Sequence, residues 1–469
     1  MRILIFHGYL LRGTGSNVYN ASLVQALVAL GHEVHLLCQD RDAGELGFVD
    51  AVPFPDMDDA SLERYLDANV AAVRRVVEGA SPEVALANHL IAGPVILARG
   101  LDGRVPYAVK IHGSALEYVV RPHRERFLPL AWEGLERAGG VLVGSRHTAE
   151  SLWEVMDDPA LPARTRLGPP GVDVHGFHPR PPGEAAERLT ALAGRLEGAG
   201  PAGWGGEADA PDALRDMDPR RDRIVAYVGK LIVSKGVDLL LAAWPLVVAE
   251  EPAARLCVVG FGTYRDALTE LAAALARGDL EAARGIAERG RELEGGPAGE
   301  LRYLASFLDR LDGERRARYV EDARPAFERV SFTGRLEHED LPWLLPACEA
   351  QVVPSTFPEA FGMVAVEAAA CGALPISAAH SGLLEVSRAF EPAVADEIRP
   401  LLSFPLGDGA VEEIAARLVR WLRLRPDRRA DARRALSDAA RARYGWEGVA
   451  EGVIAAARGR LDELPVPGA

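Results

Sequence analysis

The 469-residue chain is poor in cysteine and in long apolar runs, and each scarcity excludes a class of protein. Its four cysteines stand far apart, with no CxxC pair and no Cys/His ligand spacing, so neither a disulfide framework nor a structural zinc site is expected. No apolar run approaches the ~20 residues of a membrane-spanning helix, and the first residues lack the apolar centre of a signal peptide. A reducing cytoplasm is the expected compartment, with peripheral contact to a membrane left open.

Basic residues are outnumbered by acidic ones, and lysine is scarce. The net charge of −15 argues against general nucleic-acid binding. Only three of the 53 basic residues are lysines, namely Lys110, Lys230 and Lys235. Because arginine serves at the other basic positions, these three lysines are expected to have local roles that a solvated surface charge would not need.

The first 178 residues alternate apolar strand patterns with amphipathic helix patterns, which predicts an α/β domain with a parallel sheet. The opening strand RILIFH leads into a glycine-rich loop, LLRGTGSN. Gly13 and Gly15 permit positive φ and close backbone approach, so a phosphate or a sugar could lie against this loop. A plain flexible turn fits the same residues equally well.

Two later strands of this domain deliver polar residues at their carboxyl ends, where parallel sheets bind ligands. The strand VALAN ends at Asn88 and is followed by His89, and the strand YAVKIHG carries Lys110 and His112 on one face. A histidine at a strand end is by itself more often structural than catalytic.

The second half of the chain repeats the α/β pattern after a Pro-, Gly- and Ala-rich stretch. Its first strand and turn, IVAYVGKLIVSKG, place Lys230 and Lys235 five residues apart. Two cations at such a turn suit a diphosphate, and a solvated charge pair is the alternative. The later RLCVVGFG has Arg265 where a third glycine would complete a dinucleotide fingerprint, so NAD binding is not favoured.

The segment AQVVPSTFPEAFGMVAVEAAACGALPISAAHSG, residues 350–382, carries two carboxylates around a short helix. Glu359 lies in the loop before the helix, and Glu367 lies inside it among alanines and valines, where an ionised side chain needs partners. The amides of Phe361 to Val364 open the helix and form a ready anion site. An ordinary βαβ unit with two solvated glutamates is the alternative reading.

This segment resembles the signature of the retaining glycosyltransferases of the GT-B fold, family four, P-S-x-x-E-x-F-G-x-x-x-x-E-A-x-A-x-G-x-P. The chain has one extra residue between Ser355 and Glu359 and another between Gly372 and Pro375. Ten positions match: Pro354, Ser355, Glu359, Phe361, Gly362, Glu367, Ala368, Ala370, Gly372 and Pro375.

The resemblance extends over nearly the whole chain. RLGPPGVDVHGFHP is similar to the family's P-x-G-V-D-x-x-x-F-x-P, with Pro170 where the family has Asn. GKLIVSKG is similar to G-R-L-x-x-x-K-G, with Lys230 replacing the usual Arg and Lys235 matching the Lys. A third stretch, SFTGRL, also resembles the family, and this resemblance implies that Gly334 and Arg335 lie beside the nucleobase.

The resemblance implies a GT-B fold, with two Rossmann-like, doubly wound α/β domains facing a cleft. An N-terminal acceptor domain is expected at 1–178, a linker at 179–222 and a C-terminal nucleotide-sugar domain at 223–445. The last helix, 446–469, is expected to cross back to the first domain. A helical insertion at about 264–328 shows no catalytic pattern, and a solvated hairpin is favoured over acceptor binding, domain packing or oligomerisation.

The resemblance also implies the reaction: a hexosyl group moves from a nucleoside-diphosphate sugar to an acceptor hydroxyl, with retention. Lys230 and Lys235 hold the diphosphate, Glu359 contacts the sugar, Glu367 accepts from the ribose hydroxyls, and His112 lies near the reacting centre. The other expected donor-binding residues are Gly13, Gly15, Gly334, Arg335, Phe361, Gly362, Met363 and Val364.

No Asp-x-Asp stands where a metal-dependent transferase needs it, so metal independence and no cofactor are expected. The chain marks no clear nucleophile for double displacement, and front-face transfer fits the family better. The alternatives are a nucleotide-sugar epimerase, a phosphorylase or a non-catalytic nucleotide-sugar-binding protein. The donor base, its sugar and the acceptor, whether sugar, lipid or small molecule, stay open.

Overall fold

The computed structural model describes residues 1–9, 15–38, 52–199 and 210–468. The chain divides into two compact units, the first formed by Met1–Asp173 with Tyr444–Ala469 and the second by Val174–Arg443. Each unit is built on a six-stranded sheet whose neighbouring strands are all parallel. The predicted α/β class with two parallel-sheet domains is confirmed.

The sheet of the first unit has the strand order β2-β1-β3-β4-β5-β6. Its strands are β1 (Arg2–Phe6), β2 (Glu33–Leu37), β3 (Val84–Asn88), β4 (Tyr107–Ile111), β5 (Gly140–Val143) and β6 (Thr165–Leu167). Its helices are α1 (Gly15–Ala29), α2 (Asp59–Ala80), α3 (Gly93–Leu101), α4 (Arg124–Glu136), α5 (Arg146–Met156), α6 (Leu161–Arg164) and the C-terminal helix Trp446–Ala457.

Both faces of this sheet are buried, which is why its central strands β3, β4 and β5 are apolar apart from Asn88 and Lys110. In β1, Ile3 and Ile5 join one core cluster, whereas Leu4 and Phe6 join another, because successive side chains of a strand point to opposite faces. The C-terminal helix contributes to the Ile3 cluster through residues such as Val453. The first unit is therefore completed by the last residues of the chain.

The sheet of the second unit has the order β12-β11-β10-β7-β8-β9. Its strands are β7 (Arg223–Val228), β8 (Ala254–Val259), β9 (Val330–Gly334), β10 (Ala350–Val353), β11 (Leu374–Ala378) and β12 (Ser403–Phe404). Its helices are α7 (Pro182–Ala199), α8 (Ala210–Arg215), α9 (Val237–Glu250), α10 (Arg265–Ala276), α11 (Leu280–Arg289), α12 (Arg302–Asp309), α13 (Gly313–Phe327), α14 (Leu341–Leu344), α15 (Met363–Ala370), α16 (Ser381–Phe390), α17 (Ala410–Leu422) and α18 (Pro426–Arg443).

The unit boundary lies a few residues before the predicted end of the first domain at 178. Phe177 is 2% exposed, and its ring centroid lies 5.4 Å from that of His338 in the second unit. This aromatic contact places the segment after Asp173 with the second sheet.

The segment 179–222 differs from the exposed linker that its composition predicts. Leu189 and Leu192 of α7 and Leu214 of α8 are fully buried. The guanidinium of Arg188 lies 4.0 Å from the centroid of the Trp343 ring. In its described residues this segment is a packed part of the second unit, because its leucines recur at helical spacing.

The stretch 264–328 also differs from its prediction, a solvated helical hairpin. It forms the four helices α10 to α13, in which Leu304, Phe307 and Tyr319 are buried. The Tyr319 hydroxyl donates a hydrogen bond to the carbonyl of Ala242 in α9, at 2.9 Å. These apolar faces make the insertion part of the second core.

Among the described residues, no helix is long and apolar enough to cross a bilayer.

Candidate active site

Glu359 lies in the loop between β10 and α15, at the centre of a dense set of hydrogen bonds. Its carboxylate accepts from the Lys235 ammonium, and its Oε1 also accepts from the Ser355 hydroxyl at 2.6 Å. Its backbone N–H donates to the Ser381 hydroxyl at 2.9 Å, and its carbonyl accepts from the Gly382 N–H at 3.0 Å. Glu359 is thus fixed through both its side chain and its backbone.

His380 holds the other side of this loop. Its Nε2 lies 2.7 Å from the Ser355 carbonyl, so Nε2 must carry the proton, since a carbonyl only accepts. Its Nδ1 then accepts from the Ser381 hydroxyl at 3.0 Å. His380 and Ser381 therefore brace the loop of Glu359.

Lys235 is held at a turn between β7 and α9 that packs against the chain after β10. Gly236 has φ +64°, and a Cβ there would lie 2.1 Å from the Pro354 carbonyl oxygen. The Thr356 N–H donates to the Ser234 carbonyl at 2.9 Å. Only glycine fits at 236, and this close approach is what brings Lys235 to Glu359.

Lys230 lies at the start of the same turn and is exposed. Desolvation by the surrounding protein, together with the Lys235 ammonium, lowers its pKa. The backbone between the two lysines is held by Glu294, whose carboxylate accepts from the Val233 N–H at 2.7 Å. Glu294 belongs to the stretch 264–328, so the insertion contacts the turn that carries both candidate phosphate ligands.

The start of α15 presents the predicted anion site. Gly362 has φ +137° and precedes Met363, the first residue of the helix. The first N–H groups of an α-helix have no acceptor within the helix, which makes this end attractive to anions. Phe361 is buried, whereas Met363 and Val364 are half-buried.

Glu367 is 2% exposed and meets a residue that the sequence did not single out. The Nε2 atom of His338 lies 2.8 Å from its Oε1. His338 is a third exposed and stands against the ring of Phe177. A buried carboxylate is costly without a partner, and His338 supplies that partner from the solvent side.

Gly334 and Arg335 follow at the end of β9. Gly334 has φ +64°, and its carbonyl accepts from the Gly260 N–H at 2.8 Å. Arg335 pairs with Glu337 at 2.8 Å, and its guanidinium lies 5.4 Å from the centroid of the Phe261 ring. The second unit therefore carries its predicted donor-binding residues on the loops that follow β7, β9 and β10.

In the first unit, His112 directly follows β4 and bonds to Asn88, the last residue of β3. Its Nε2 lies 2.8 Å from the Asn88 Oδ1. Burial, together with nearby His89, Lys110 and His7, holds the pKa of His112 well below its usual range. His112 is therefore a neutral imidazole at physiological pH.

His89 lies beside this pair and combines a positive φ with a buried imidazole ring. It has φ +68°, is 4% exposed, and neither of its ring nitrogens has a hydrogen-bond partner among the described residues. Its ring centroid lies 4.8 Å from that of Tyr9 and 4.9 Å from that of His112. Burial, with nearby His7 adding, lowers its pKa to about 3.

Lys110 is not presented to a ligand. It is 2% exposed, donates to the Gly168 carbonyl at 2.5 Å, and lies 5.6 Å from the centroid of the Tyr19 ring. Burial lowers its pKa to about 7. Of the three lysines, this one is a core residue of the first unit.

Two predicted residues fall at the glycine-rich loop. Gly15 is the first residue of α1, so it opens a helix rather than lying within the loop. Gly13 lies outside the described residues.

The sequence pattern did not point to His338 or Glu294, because each meets its partner across more than 25 positions of the chain.

The chain matches two family models. The model described as Glycosyltransferase Family 4 matches residues 13–176, and the model described as Glycosyl transferases group 1 matches residues 311–443. A D-inositol 3-phosphate glycosyltransferase of Frankia alni is 26% identical over 473 residues, covering 96% of this chain and 96% of that protein.

Solved structures show the same fold. Sucrose-phosphate synthase from Thermosynechococcus elongatus matches with a TM-score of 0.57 at 20% identity, over 99% of this chain and 100% of that chain. Anabaena HepE in complex with UDP matches with a TM-score of 0.58 at 16% identity, over 99% of this chain and 100% of that one. The chain therefore belongs to the family-four type of GT-B glycosyltransferases, as the sequence predicts, and is an enzyme of that class.

Proposed function

We propose that this glycosyltransferase moves a hexosyl group from a nucleoside-diphosphate sugar to an acceptor hydroxyl, with retention and without a metal ion. The observation that carries the proposal is the ion pair of Lys235 and Glu359 beside the N-terminus of α15. A cation, a carboxylate and a helix start together suit a diphosphate joined to a hydroxyl-rich sugar. A second structure of Anabaena HepE, which matches with a TM-score of 0.57, is described in complex with UDP-glucose, and this supports the donor class.

The lysines have a stated role in this proposal. Lys230 and Lys235 lie at one turn, and each can approach phosphate oxygens as a point charge. A bound diphosphate would share the Lys235 ammonium with Glu359. The Glu359 carboxylate could then accept hydrogen bonds from sugar hydroxyls. Glu367, partnered by His338, would accept from the ribose hydroxyls.

The reaction follows as a front-face transfer. The bond between the anomeric carbon and the leaving phosphate oxygen breaks, and the acceptor oxygen bonds to the same face of that carbon. The acceptor proton passes to the departing phosphate oxygen. The two lysines offset the negative charge that grows on this phosphate, and we propose that His112 contacts the transferred sugar.

The first acceptor to test is a phosphorylated cyclitol, since the relative from Frankia alni is named a D-inositol 3-phosphate glycosyltransferase. The chain is screened by thermal shift against UDP, GDP, ADP and their sugar conjugates with EDTA present. A ligand that binds the native state raises the melting temperature. The donor that stabilises the chain is then incubated with D-inositol 3-phosphate, and product is scored by mass and by anomeric coupling in NMR.

The result expected is stabilisation by one nucleotide family and a product whose anomeric configuration matches that of the donor. An inverted product would contradict retention, and turnover only with added metal would contradict metal independence. If no nucleotide or conjugate stabilised the chain, the donor class would be wrong. Conversion of the donor without any acceptor would favour an epimerase instead.

A further inference from the structure

A chain of five buried or half-buried polar side chains runs through the first unit and ends at His112. It joins His112, Asn88, Asn20, His7 and Asn17. Its links are His112 Nε2 to Asn88 Oδ1 at 2.8 Å, Asn88 Nδ2 to Asn20 Oδ1 at 2.9 Å, Asn20 Nδ2 to His7 Nδ1 at 3.0 Å, and His7 Nε2 to Asn17 Oδ1 at 2.9 Å. We call these five residues the polar chain.

The direction of every hydrogen bond in the polar chain is fixed by two backbone carbonyls. Asn88 Nδ2 lies 3.3 Å from the Phe6 carbonyl, and Asn20 Nδ2 lies 2.8 Å from the Ser16 carbonyl. A carbonyl oxygen only accepts, so these two atoms must be the amide nitrogens. The opposite assignment of either amide would set two acceptors against each other.

The protonation of His112 follows from this direction. Asn88 turns its Oδ1 to His112, and an amide oxygen only accepts, so the Nε2 of His112 must carry its proton. A neutral imidazole has one proton, which leaves Nδ1 with a lone pair. Four members of the polar chain are at most 3% exposed, whereas His112 is half-buried. Nδ1 of His112 is therefore the atom left for a ligand.

Among the described residues, none of the neighbours of His112 outside the polar chain offers its Nε2 atom an alternative hydrogen bond. His89, packed against the His112 ring, has no hydrogen-bond partner for either ring nitrogen among the described residues and is held neutral by burial. The Lys110 ammonium is turned to the Gly168 carbonyl. The Tyr19 ring lies edge-on to His112, with centroids 5.0 Å apart.

We infer that Asn88 is a positioning residue that holds His112 as the Nε2–H tautomer, so that its Nδ1 receives a hydroxyl of the sugar and not a phosphate oxygen. A hydroxyl can donate to a lone pair, whereas a phosphate oxygen facing it would meet acceptor with acceptor. The inference rests on the proposed function for the identity of the ligand. The role of Asn88 itself is independent of it.

The tautomer is measured directly on the ligand-free full-length protein. Histidine labelled with ¹⁵N is incorporated, and the His112 signals are identified by their loss in His112→Phe. At pH 8 we expect a neutral ring with the proton on Nε2. A proton on Nδ1, or a protonated ring, would overturn the inference whatever the donor proves to be.

Variants at Asn88 test the positioning role. In Asn88→Ala the Nε2–H preference is expected to disappear, and kcat/KM for the donor to fall about 3- to 10-fold, the effect of one hydrogen bond. Asn88→Asp keeps an acceptor for the Nε2 proton but loses the donor to Asn20, so it separates the two roles of this side chain, and His112 is expected to keep its proton on Nε2. Asn69→Ala is the matched control, since among the described residues Asn69 donates to the Tyr65 carbonyl within α2 and has no bond to the polar chain. An unchanged His112 tautomer in Asn88→Ala would contradict the inference.

The ligand side is tested with UDP-glucose, ADP-glucose and GDP-mannose against the corresponding diphosphates. The conjugate that stabilises the chain is expected to shift the Nδ1 resonance of His112 toward that of a hydrogen-bonded nitrogen, whereas its diphosphate leaves it unchanged. An equal shift with the diphosphate alone would overturn the hydroxyl assignment. If no conjugate stabilised the chain, the proposed function would fail, and the ligand-free tautomer would still decide the role of Asn88.

Discussion

The Nε2 atom of His338 lies 2.8 Å from Oε1 of Glu367, a carboxylate that is only 2% exposed. The histidine thus occupies one of the two oxygens that Glu367 can offer a ligand. The carboxylate keeps its second oxygen for ribose hydroxyls in the proposed function. This relationship gives two linked predictions for the nucleotide subsite.

Glu367→Gln is expected to raise the donor KM with little change in kcat. A hydrogen bond to a charged acceptor contributes roughly 1.5–3 kcal/mol, so the increase should be about 10-fold or more. Initial-rate kinetics over a range of donor concentrations measure it. A donor KM equal to that of the wild type would contradict the ribose role of Glu367.

His338→Phe keeps an aromatic ring against Phe177 but removes the hydrogen bond to Glu367. His338 acts on the donor only through Glu367, so part of this bond's free energy, roughly 0.5–1.5 kcal/mol, should reach the donor. The donor KM should therefore rise about 2- to 10-fold while kcat stays near its original value. His35→Phe is the control, because His35 pairs with Glu33 on the edge strand of the first sheet. A fall in kcat alone would argue against a role in donor binding.

Lys235→Ala is expected to lose most donor affinity, because it removes the cation that pairs with Glu359. The loss should be at least about 10-fold, the scale of one charged hydrogen bond. Isothermal titration with the nucleotide identified by thermal shift measures it. Arg420→Ala removes an exposed cation from α17 and should leave the affinity unchanged. Near-normal binding by the Lys235 variant would remove the diphosphate assignment.

Glu294→Ala tests the contact between the insertion and the lysine turn. The variant loses the acceptor for the Val233 N–H, so the turn between Lys230 and Lys235 should loosen and the donor KM should rise about 2- to 10-fold. Glu294→Gln keeps an acceptor oxygen and should restore donor binding. Glu288→Ala removes an exposed carboxylate of the same insertion and serves as control. Equal kinetics in the Glu294 and Glu288 variants would show that the contact has no role.

The buried Lys110 is expected to make the free energy of unfolding depend on pH. Its folded-state pKa is about 7, below the ordinary value of 10.5, because burial disfavours the charged form. Between these values the unfolded chain binds more protons than the folded one, so the free energy of unfolding should rise with pH, by up to about 1.4 kcal/mol per pH unit. Below pH 7 both states are protonated, and this contribution is constant.

Lys110→Met removes the titrating group, so the variant should lack this contribution. The measurement is the difference in denaturant stability between wild type and variant at pH 7 and pH 9, which cancels the other titrating groups. The destabilisation of the variant relative to wild type should be greater at pH 9. A difference that did not change with pH would show that Lys110 titrates normally in the folded protein.

Much of the fold could be predicted from local pattern. The alternation of apolar strands with amphipathic helices predicts the two parallel-sheet domains. The amides of Phe361 to Val364 are predicted to open a helix, and α15 begins at Met363 within that range. The two regions that differ from prediction, 179–222 and 264–328, are rich in alanine and charge. Their helices bury narrow apolar faces against neighbours that are distant in sequence, and composition alone does not reveal such partners.

The candidate site divides in the same way. The carboxylates Glu359 and Glu367 and the lysines of the β7–α9 turn stand out because their spacing within single segments matches the family signature. The single-sequence pattern could not separate Lys110 from the other two lysines, since all three stand in strand-associated motifs. Burial on the sheet of the first unit decides that Lys110 bonds to Gly168.

The sequence by itself determined the fold class, the family and the segment that carries the signature, because these depend on the order of residues along short stretches. Only the tertiary structure decided which partners those residues have. Lys235 meets Glu359 across 124 positions, and Asn88 meets Asn20 across 68. Parallel sheets bring the ends of sequence-distant strands to one edge, so the direction of each hydrogen bond at that edge is set by the folded chain.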